Sequence, residues 1–108
     1  MGIEYLSTGK TTEILVTNSA GGTYVPNAAG VHNPMKQRRA LELQNLGPNA
    51  IYVTVDGTAP LATGANGRKV DAGAIWSLNC GPQVVVRAIA ATAAQVTTAA
   101  TMVTELGD

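Results

Sequence analysis

Residues 39–55 carry the feature that most constrains the fold, an alternation of apolar and polar residues on both sides of one turn. Leucine alternates with Glu and Gln over residues 41–44, and Ile and Val alternate with Tyr and Thr over residues 51–55. Gly, Pro and Asn occupy the turn at residues 47–49. A period of two is typical of strands that bury one face. Two such strands around a Gly-Pro-Asn turn predict an antiparallel β-hairpin.

Other short β-prone segments are separated by Gly, Pro and Asn turns about every ten residues, a spacing typical of β-sandwiches and barrels. The predicted strands cover residues 13–17, 23–25, 68–70, 74–78, 83–90 and 100–106. Residues 83–90 are the most apolar, so we expect them to form a central strand. No stretch has the periodicity of an ordinary amphipathic helix. We expect an all-β fold, a small antiparallel β-sandwich that is jelly-roll-like, with residues 39–108 as the sandwich domain.

The alternation is weaker in residues 1–38, which predict an extended N-terminal arm and loop. Within them, residues 27–37 have Gly, Pro and Asn at positions that favour turns. We expect this N-terminal segment either to belong to the same domain or to pack on neighbouring subunits.

Small and β-branched residues dominate the composition: of 108 residues, 17 are Ala, 13 are Thr and 11 are Val, and none is Phe. Such side chains suit thin, tightly packed sheets. A core of this kind removes less apolar area from water than a core of Leu and Phe, so association with other subunits would add burial. The single tryptophan, Trp76, is expected in the core or, alternatively, at a subunit interface.

Charge and hydropathy argue against several functional classes. Seven Lys and Arg balance seven Asp and Glu, whereas general nucleic-acid binding needs an excess of cations. No apolar run approaches the roughly 20 residues that cross a bilayer, so we expect no membrane partner. The first residues, MGIEYLSTGK, lack the basic and apolar regions of a signal peptide, and we therefore expect synthesis in a cytoplasm.

No arrangement of residues in the sequence predicts catalysis, a metal or a cofactor. Residues 7–11, STGKT, resemble the end of a phosphate-binding P-loop, but Glu4 stands where that motif requires its first Gly. The one cysteine, Cys80, and the one histidine, His32, lie in separate predicted turns, and nothing brings them together as nucleophile and base. One Cys also allows neither an intramolecular disulfide nor a Cys-rich zinc site. We expect a protein that is not an enzyme and uses no cofactor.

Lys36, Arg38 and Arg39 form the one basic cluster, next to the first strand of the predicted hairpin. Basic residues steer docking against an acidic protein surface and fix its orientation. We predict these three residues, with His32 in the preceding loop, as partner-binding residues. The alternative is a solvated loop flank. Three cations without interleaved aromatics make a poor nucleic-acid patch.

Three segments resemble a recurring layout in small structural proteins of tailed bacteriophages: LELQNLGPNAIYVTVDG, RKVDAGAIWSLNCGPQVVVRAIAATAAQV and TMVTEL. The shared parts are a strand with a QNLGPN-IYV turn, a loop, a basic–V–x–A–G turn, a W-S-L strand, a V-x-A-I-A-A-T-A strand and a closing strand. Proteins with this layout are similar to capsid decoration (cement) proteins and other small β-sandwich components of the virion. The resemblance covers about residues 39–106 and leaves residues 1–38 outside it.

The resemblance implies a non-enzymatic virion protein, made in the host cytoplasm, that binds the outside of the phage head and stabilises the shell by bridging capsid subunits. The implied partners are the major capsid protein, or another virion protein, and further copies of the chain, with a trimer expected by analogy. The arm and residues 36–39 would contact the shell. Two alternatives stay open: a head–tail connector or tail component, and a carbohydrate- or receptor-binding β module.

Overall fold

The computed structural model describes residues 8–28, 31–32, 34–92 and 97–108, which form ten β-strands and no helix. In chain order the strands are β1 (Thr8–Thr17), β2 (Thr23–Val25), β3 (Asn27–Ala28), β4 (Val31–His32), β5 (Arg38–Pro48), β6 (Ile51–Thr54), β7 (Arg68–Val70), β8 (Ile75–Leu78), β9 (Val86–Ala90) and β10 (Thr98–Gly107). The predicted all-β class is therefore confirmed. Within these residues, nothing forms a helix long and apolar enough to cross a membrane.

Eight of the strands form two antiparallel sheets of four strands each. Sheet 1 has the order β1-β10-β5-β8, and sheet 2 has the order β2-β9-β6-β7. The strands β3 and β4 form a separate two-stranded ribbon. The apolar segment that was expected to be central does lie inside its sheet, because β9 is flanked by β2 and β6.

One hydrophobic core is built from residues of both sheets. Leu41, Leu43 and Val103 come from sheet 1, and Ile51 and Val53 come from sheet 2. The other described members are all small, as the composition predicts: Val16, Val25, Val70, Cys80, Val86, Ala88, Ala90 and Ala99. Since side chains alternate along a strand, each sheet buries one face in this core, and the arrangement is sandwich-like.

The predicted hairpin is wrong in its pairing, although both of its strands exist. β5 pairs with β10 and β8, whereas β6 pairs with β9 and β7. The chain therefore leaves sheet 1 after Pro48 and enters sheet 2 at Ile51. Alternation shows only that each strand buries one face. Two strands that pair within one sheet and two strands that face each other across a core have the same alternation, so the pattern does not distinguish these arrangements.

Residues 8–28 contribute strands to both sheets, so the described residues do not confirm an extended N-terminal arm. β1 pairs with β10 over its whole length, and β2 pairs with β9. The predicted loop at residues 27–37 contains the two strands of the ribbon. The predictions for residues 1–7 lie outside the described part of the chain.

Trp76, in the edge strand β8, is half-buried and packs against the core.

Candidate functional site

An open cleft of about 530 Å³ lies where β5 begins and β8 ends. It is lined by residues 36–39, by the turn of residues 79–83 and by Asp108. The basic cluster predicted from the sequence therefore forms one wall of a concave surface. We call this feature the cleft.

A bulge in β5 gives neighbouring arginines different environments. Ala40 pairs with Leu106 and Arg38 pairs with Gly107, so Arg39 is an extra residue in β5. A bulge re-aims the side chains around it. Arg38 is only 1% exposed, whereas half of the Arg39 side chain is exposed.

The turn that forms the opposite wall is fixed by backbone hydrogen bonds. The amide of Cys80 donates to the carbonyl of Arg39 over 3.0 Å, which extends the β5–β8 pairing beyond Leu78. The amide of Val84 donates to the carbonyl of Gly81 over 3.3 Å and closes the turn. Gly and Pro in this segment favour such a turn.

Arg38 is an internal anchor of the cleft. Its Nη2 donates to the carbonyls of Gly81 and Val84 over 2.7 and 2.8 Å. Its Nη1 lies 3.5 Å from Oε2 of Glu105, which is also buried. The same Oε2 accepts a 2.8 Å hydrogen bond from the amide of Met35. The pair therefore connects both walls of the cleft to β10, and Arg38 presents no surface to a partner in this conformation.

The pair is not fully satisfied. Nε and Nη1 of Arg38 and Oε1 of Glu105 are buried and make no hydrogen bond within the described residues. Buried ion pairs lose hydration that their mutual attraction repays only with good geometry. We therefore infer that the pair of Arg38 and Glu105 fixes the position of the chain and is not a strong source of net stability.

The exposed charges of the cleft lie on its rim. Lys36 is exposed, and Arg39 pairs with Asp108 over 2.8 Å, with both of these side chains about half exposed. An exposed pair of this kind stabilises weakly, so both groups are accessible to a competing partner. Lys36 and Arg39 therefore place two exposed cations on the rim, and the side chain of Asp108 pairs with one of them. His32 belongs to β4, but its side chain lies outside the described residues.

Cys80 lies beside the cleft and is 8% exposed. Burial raises the pKa of its thiol; the Arg38 charge acts to lower that pKa, and Glu105 acts to raise it. The thiolate is the nucleophilic form of cysteine, so a raised pKa makes Cys80 a poor nucleophile at neutral pH. Among the described residues, no group of three or more His, Cys, Asp and Glu side chains could hold a metal ion.

Sequence reasoning missed Glu105 as part of this site, although the signal was present. Thr101, Val103 and Glu105 alternate on one face of β10, and all three are buried. A carboxylate on an otherwise apolar face needs a buried partner, because an unpaired buried charge is strongly unfavourable. That requirement pointed to a buried cation, which the structure identifies as Arg38.

Comparisons of the chain with protein-family models, curated proteins and solved structures found no match.

Proposed function

We propose that the protein is a non-enzymatic structural component of a tailed-bacteriophage virion, a capsid decoration (cement) protein on the outside of the head. It binds the major capsid protein, bridges neighbouring subunits and so opposes the internal pressure of packaged DNA. The observation that carries the proposal is the basic rim of the cleft, where Lys36 and Arg39 are exposed beside a wall that hydrogen bonds from Arg38 hold in place. The resemblance of residues 39–106 to small virion proteins supports it independently of this geometry.

The rim fits an acidic projection of a partner protein. Lys36 and Arg39 attract carboxylates during encounter and fix the orientation of the complex. Arg38 and Glu105 hold the segment that carries them, through the Met35 amide and the turn of residues 81–84. Binding to a wall that is already ordered costs less conformational entropy than binding to a mobile loop. Burial raises the pKa of the Cys80 thiol, so this residue is a poor nucleophile beside the cleft.

The finer parts of the proposal concern architecture and assembly. We propose that the two sheets form a jelly-roll-like sandwich and that the chain forms a homo-oligomer, a trimer by analogy with cement proteins, on the capsid surface. Two antiparallel sheets around one core are compatible with this architecture. A core of Val and Ala is compatible with further burial through association.

Copy number tests the proposal. The protein would be quantified by gel densitometry in purified particles, relative to the major shell protein. A ratio near parity, or a simple fraction of it, is expected for a protein that decorates the whole shell, and heads stripped of it should then resist heating less well. A handful of copies per particle would indicate the head–tail connector or a tail component. Absence from particles would overturn a virion role.

The environments of the described aromatic residues give little support to a carbohydrate-binding module. The guanidinium of Arg87 lies 5.0 Å from the ring centroid of Tyr24. Tyr52 lies against Gly64, where an added Cβ would come within 2.5 Å of its ring. Trp76 packs against the core. Binding of sugars by stacking needs open aromatic faces, whereas each of these three side chains is only partly exposed and has a neighbour against it.

A further inference from the structure

Among the described strands, β1 is the longest that lies at the edge of a sheet. It has ten residues and pairs on one side only, with β10. The edge strands β2, β7 and β8 have three, three and four residues. At about 3.4 Å per residue, β1 leaves an open edge of roughly 34 Å. The unpaired N–H and C=O groups along such an edge can pair with a further strand.

The backbone of β1 lacks the irregularities that usually block an edge. Its residues pair with consecutive residues of β10 without a register shift, from Thr8 with Gly107 to Thr17 with Thr98. It contains no Pro, and residues 9–13 are all exposed. Bulges, Pro and shortness are the common means by which proteins prevent edge pairing. The open edge of β1 is therefore regular and accessible.

The hydrogen bonds of Asn45 show which way the backbone groups of sheet 1 point. The Asn45 amide donates to the carbonyl of Ala74 over 3.0 Å, and its carbonyl accepts from the Gly73 amide over 2.6 Å. Both groups therefore point to the β8 side of β5. Successive residues of a strand direct their backbone groups to opposite edges. Gln44 therefore directs its groups to β10, where it pairs with Met102.

The same alternation continues from β10 into β1. Because Met102 directs its backbone groups to β5, its neighbour Val103 directs them to β1, where it pairs with Thr12. Thr12 thus uses its amide and carbonyl within sheet 1, and the residues on either side of it face the open edge. The well-exposed residues that direct both groups to this edge are Thr11, Glu13 and Leu15.

The side chains of β1 restrict which strand fits beside it. Val16 lies in the core, so Glu13 and Leu15 point away from the core, and Lys10 points to the other face. Leu15 is 58% exposed, and no ion pair of the described residues includes Glu13. Opposed side chains on one face of a sheet lie about 5 Å apart and interact. An added strand is favoured if it has a cation facing Glu13 and an apolar residue facing Leu15.

A second copy of β1 does not meet this requirement. When two β1 strands pair antiparallel through their open edges, residues that face the edge oppose each other. Glu13 then meets either another Glu13 or an uncharged residue. Lys10 belongs to the alternate set on the other face, so it opposes Glu13 in none of these registers. The charges of β1 therefore select against pairing with itself.

We infer that β1 binds an extended segment of another polypeptide, which joins sheet 1 as a fifth strand antiparallel to β1. The segment has a basic side chain facing Glu13 and an apolar side chain facing Leu15. Main-chain hydrogen bonds give such complexes their affinity, and alternate side chains give them their selectivity. The inference goes beyond the proposed function, because it concerns an edge of sheet 1 rather than the cleft.

Amide hydrogen exchange, measured by NMR on the purified full chain, tests whether the edge is open. The amides of Thr11, Glu13 and Leu15 should exchange at least about tenfold faster than those of Thr12 and Ile14, which bond to β10. Equal protection of both sets would show that the edge is already covered and would overturn the inference.

The binding probe is the peptide TVVKTTE, acetylated and amidated at its ends. In antiparallel register its Lys faces Glu13, its first Val faces Leu15 and its Glu faces Lys10. Titrated into isotope-labelled chain, it should shift the resonances of β1 saturably. It should also slow the exchange of the Glu13 and Leu15 amides, because these amides then donate to the peptide.

Two N-methylated forms of the peptide test the direction of the backbone groups. Methyl groups on the residues that face Thr11 and Glu13 remove amides that bond to β1, and they should weaken binding at least about tenfold. Methyl groups on the residues that face Thr12 and Ile14 point away from β1 and should leave binding unchanged. Equal weakening by both forms would exclude strand addition.

Charge reversal in the chain tests the selectivity. Glu13→Lys should weaken binding of the peptide at least about threefold, because its Lys then faces a like charge. Glu42→Lys is the matched control, since it makes the same change on the same face, but β10 and β1 lie between β5 and the open edge. At this distance the charge is largely screened at physiological salt, so Glu42→Lys should bind as wild type. Thermal melting confirms that both variants are folded.

Two further results would count against the inference. One is the absence of saturable binding by the unmethylated peptide. The other is a mass above the 11.0 kDa of one copy whose formation protects the amides of Thr11, Glu13 and Leu15, because a second copy would then be the occupant. None of these results bears on copy number in particles, so failure here is distinguishable from failure of the proposed function.

Discussion

Arg38 and Glu105 lie 3.5 Å apart, Nη1 to Oε2, and neither side chain is more than 1% exposed. The two residues belong to neighbouring strands of sheet 1, β5 and β10. Through Met35, Gly81 and Val84 the pair also holds the segments that form the walls of the cleft. One buried contact therefore links the core between the two sheets to the candidate binding surface.

Breaking the Arg38–Glu105 pair should lower the free energy of unfolding substantially. Glu105→Gln leaves the buried guanidinium without a counter-charge, and Arg38→Met leaves the carboxylate without one. Each change should lower the free energy of unfolding by about 3–5 kcal/mol, measured by urea denaturation. The double variant Arg38→Met/Glu105→Leu should lose much less than the sum of the single losses, because it leaves no unpaired charge.

The exposed pair of Arg39 and Asp108 provides the matched control for the buried pair. It has a shorter distance, 2.8 Å, but its side chains are 50% and 55% exposed. Asp108→Asn should change the free energy of unfolding by no more than about 1 kcal/mol. Equal losses for Glu105→Gln and Asp108→Asn would show that burial does not set the importance of the Arg38–Glu105 contact.

Asn45 should be required for the crossing of the chain between the two sheets. Its Nδ2 donates to the carbonyls of Asn49 and Val70 over 2.9 and 3.0 Å, and its Oδ1 accepts from the Gly47 amide over 2.8 Å. Asn45→Ala leaves these backbone groups unpaired in the interior and should cost about 3 kcal/mol of unfolding free energy. Gln44→Ala, at an exposed neighbouring position, should cost less than about 0.5 kcal/mol. A similar urea midpoint for both variants would contradict this role.

Local sequence patterns predicted most of the strands, because the alternation of apolar and polar residues depends directly on which side chains are buried. The segments at residues 23–25 and 68–70 were predicted with the bounds that β2 and β7 have. The pairing of strands was not predictable in the same way. Whether β5 pairs with β6 or faces it across the core depends on contacts with β10 and β9, which are distant in sequence.

The site was harder to predict than the fold because neighbouring residues of one type have different environments. Lys36, Arg38 and Arg39 look alike as a cluster in the sequence. Only the bulge at Arg39 separates the buried guanidinium of Arg38 from the exposed side chain of Arg39. The partner-binding role of Lys36 and Arg39 stays a prediction. Arg38 instead has an internal role, and predicting that role would have required knowing that Glu105 is its buried partner.

Glycines with positive φ should differ in their tolerance of alanine according to what lies beside them. Gly22 and Gly73 have φ of +70° and +86°, where side chains are strained. A Cβ on Gly22 would lie 2.6 Å from the carbonyl oxygen of Ala88, whereas a Cβ on Gly73 would meet nothing within 4 Å. Gly73→Ala should cost about 1 kcal/mol from backbone strain alone. Gly22→Ala should cost clearly more, and equal losses in thermal melting would refute the close approach.

If the protein decorates the shell as proposed, reversing the charge of the cleft rim should weaken its binding there. Lys36→Glu with Arg39→Glu replaces the attraction for an acidic partner with repulsion, and it should slow and weaken rebinding to stripped heads at least about tenfold at low salt. The wild-type affinity should fall as salt is raised, because exposed charges are screened, and the variant should be less sensitive.

The control reverses two exposed cations on the other sheet, Arg68→Glu with Lys69→Glu in β7. The net charge changes equally in both double variants, so only the position of the charges differs between them. If both variants bind alike, attraction comes from overall charge and the cleft has no special role. If only the rim variant loses binding while its thermal stability is retained, the cleft is the docking surface, because the Arg38–Glu105 pair behind it is intact.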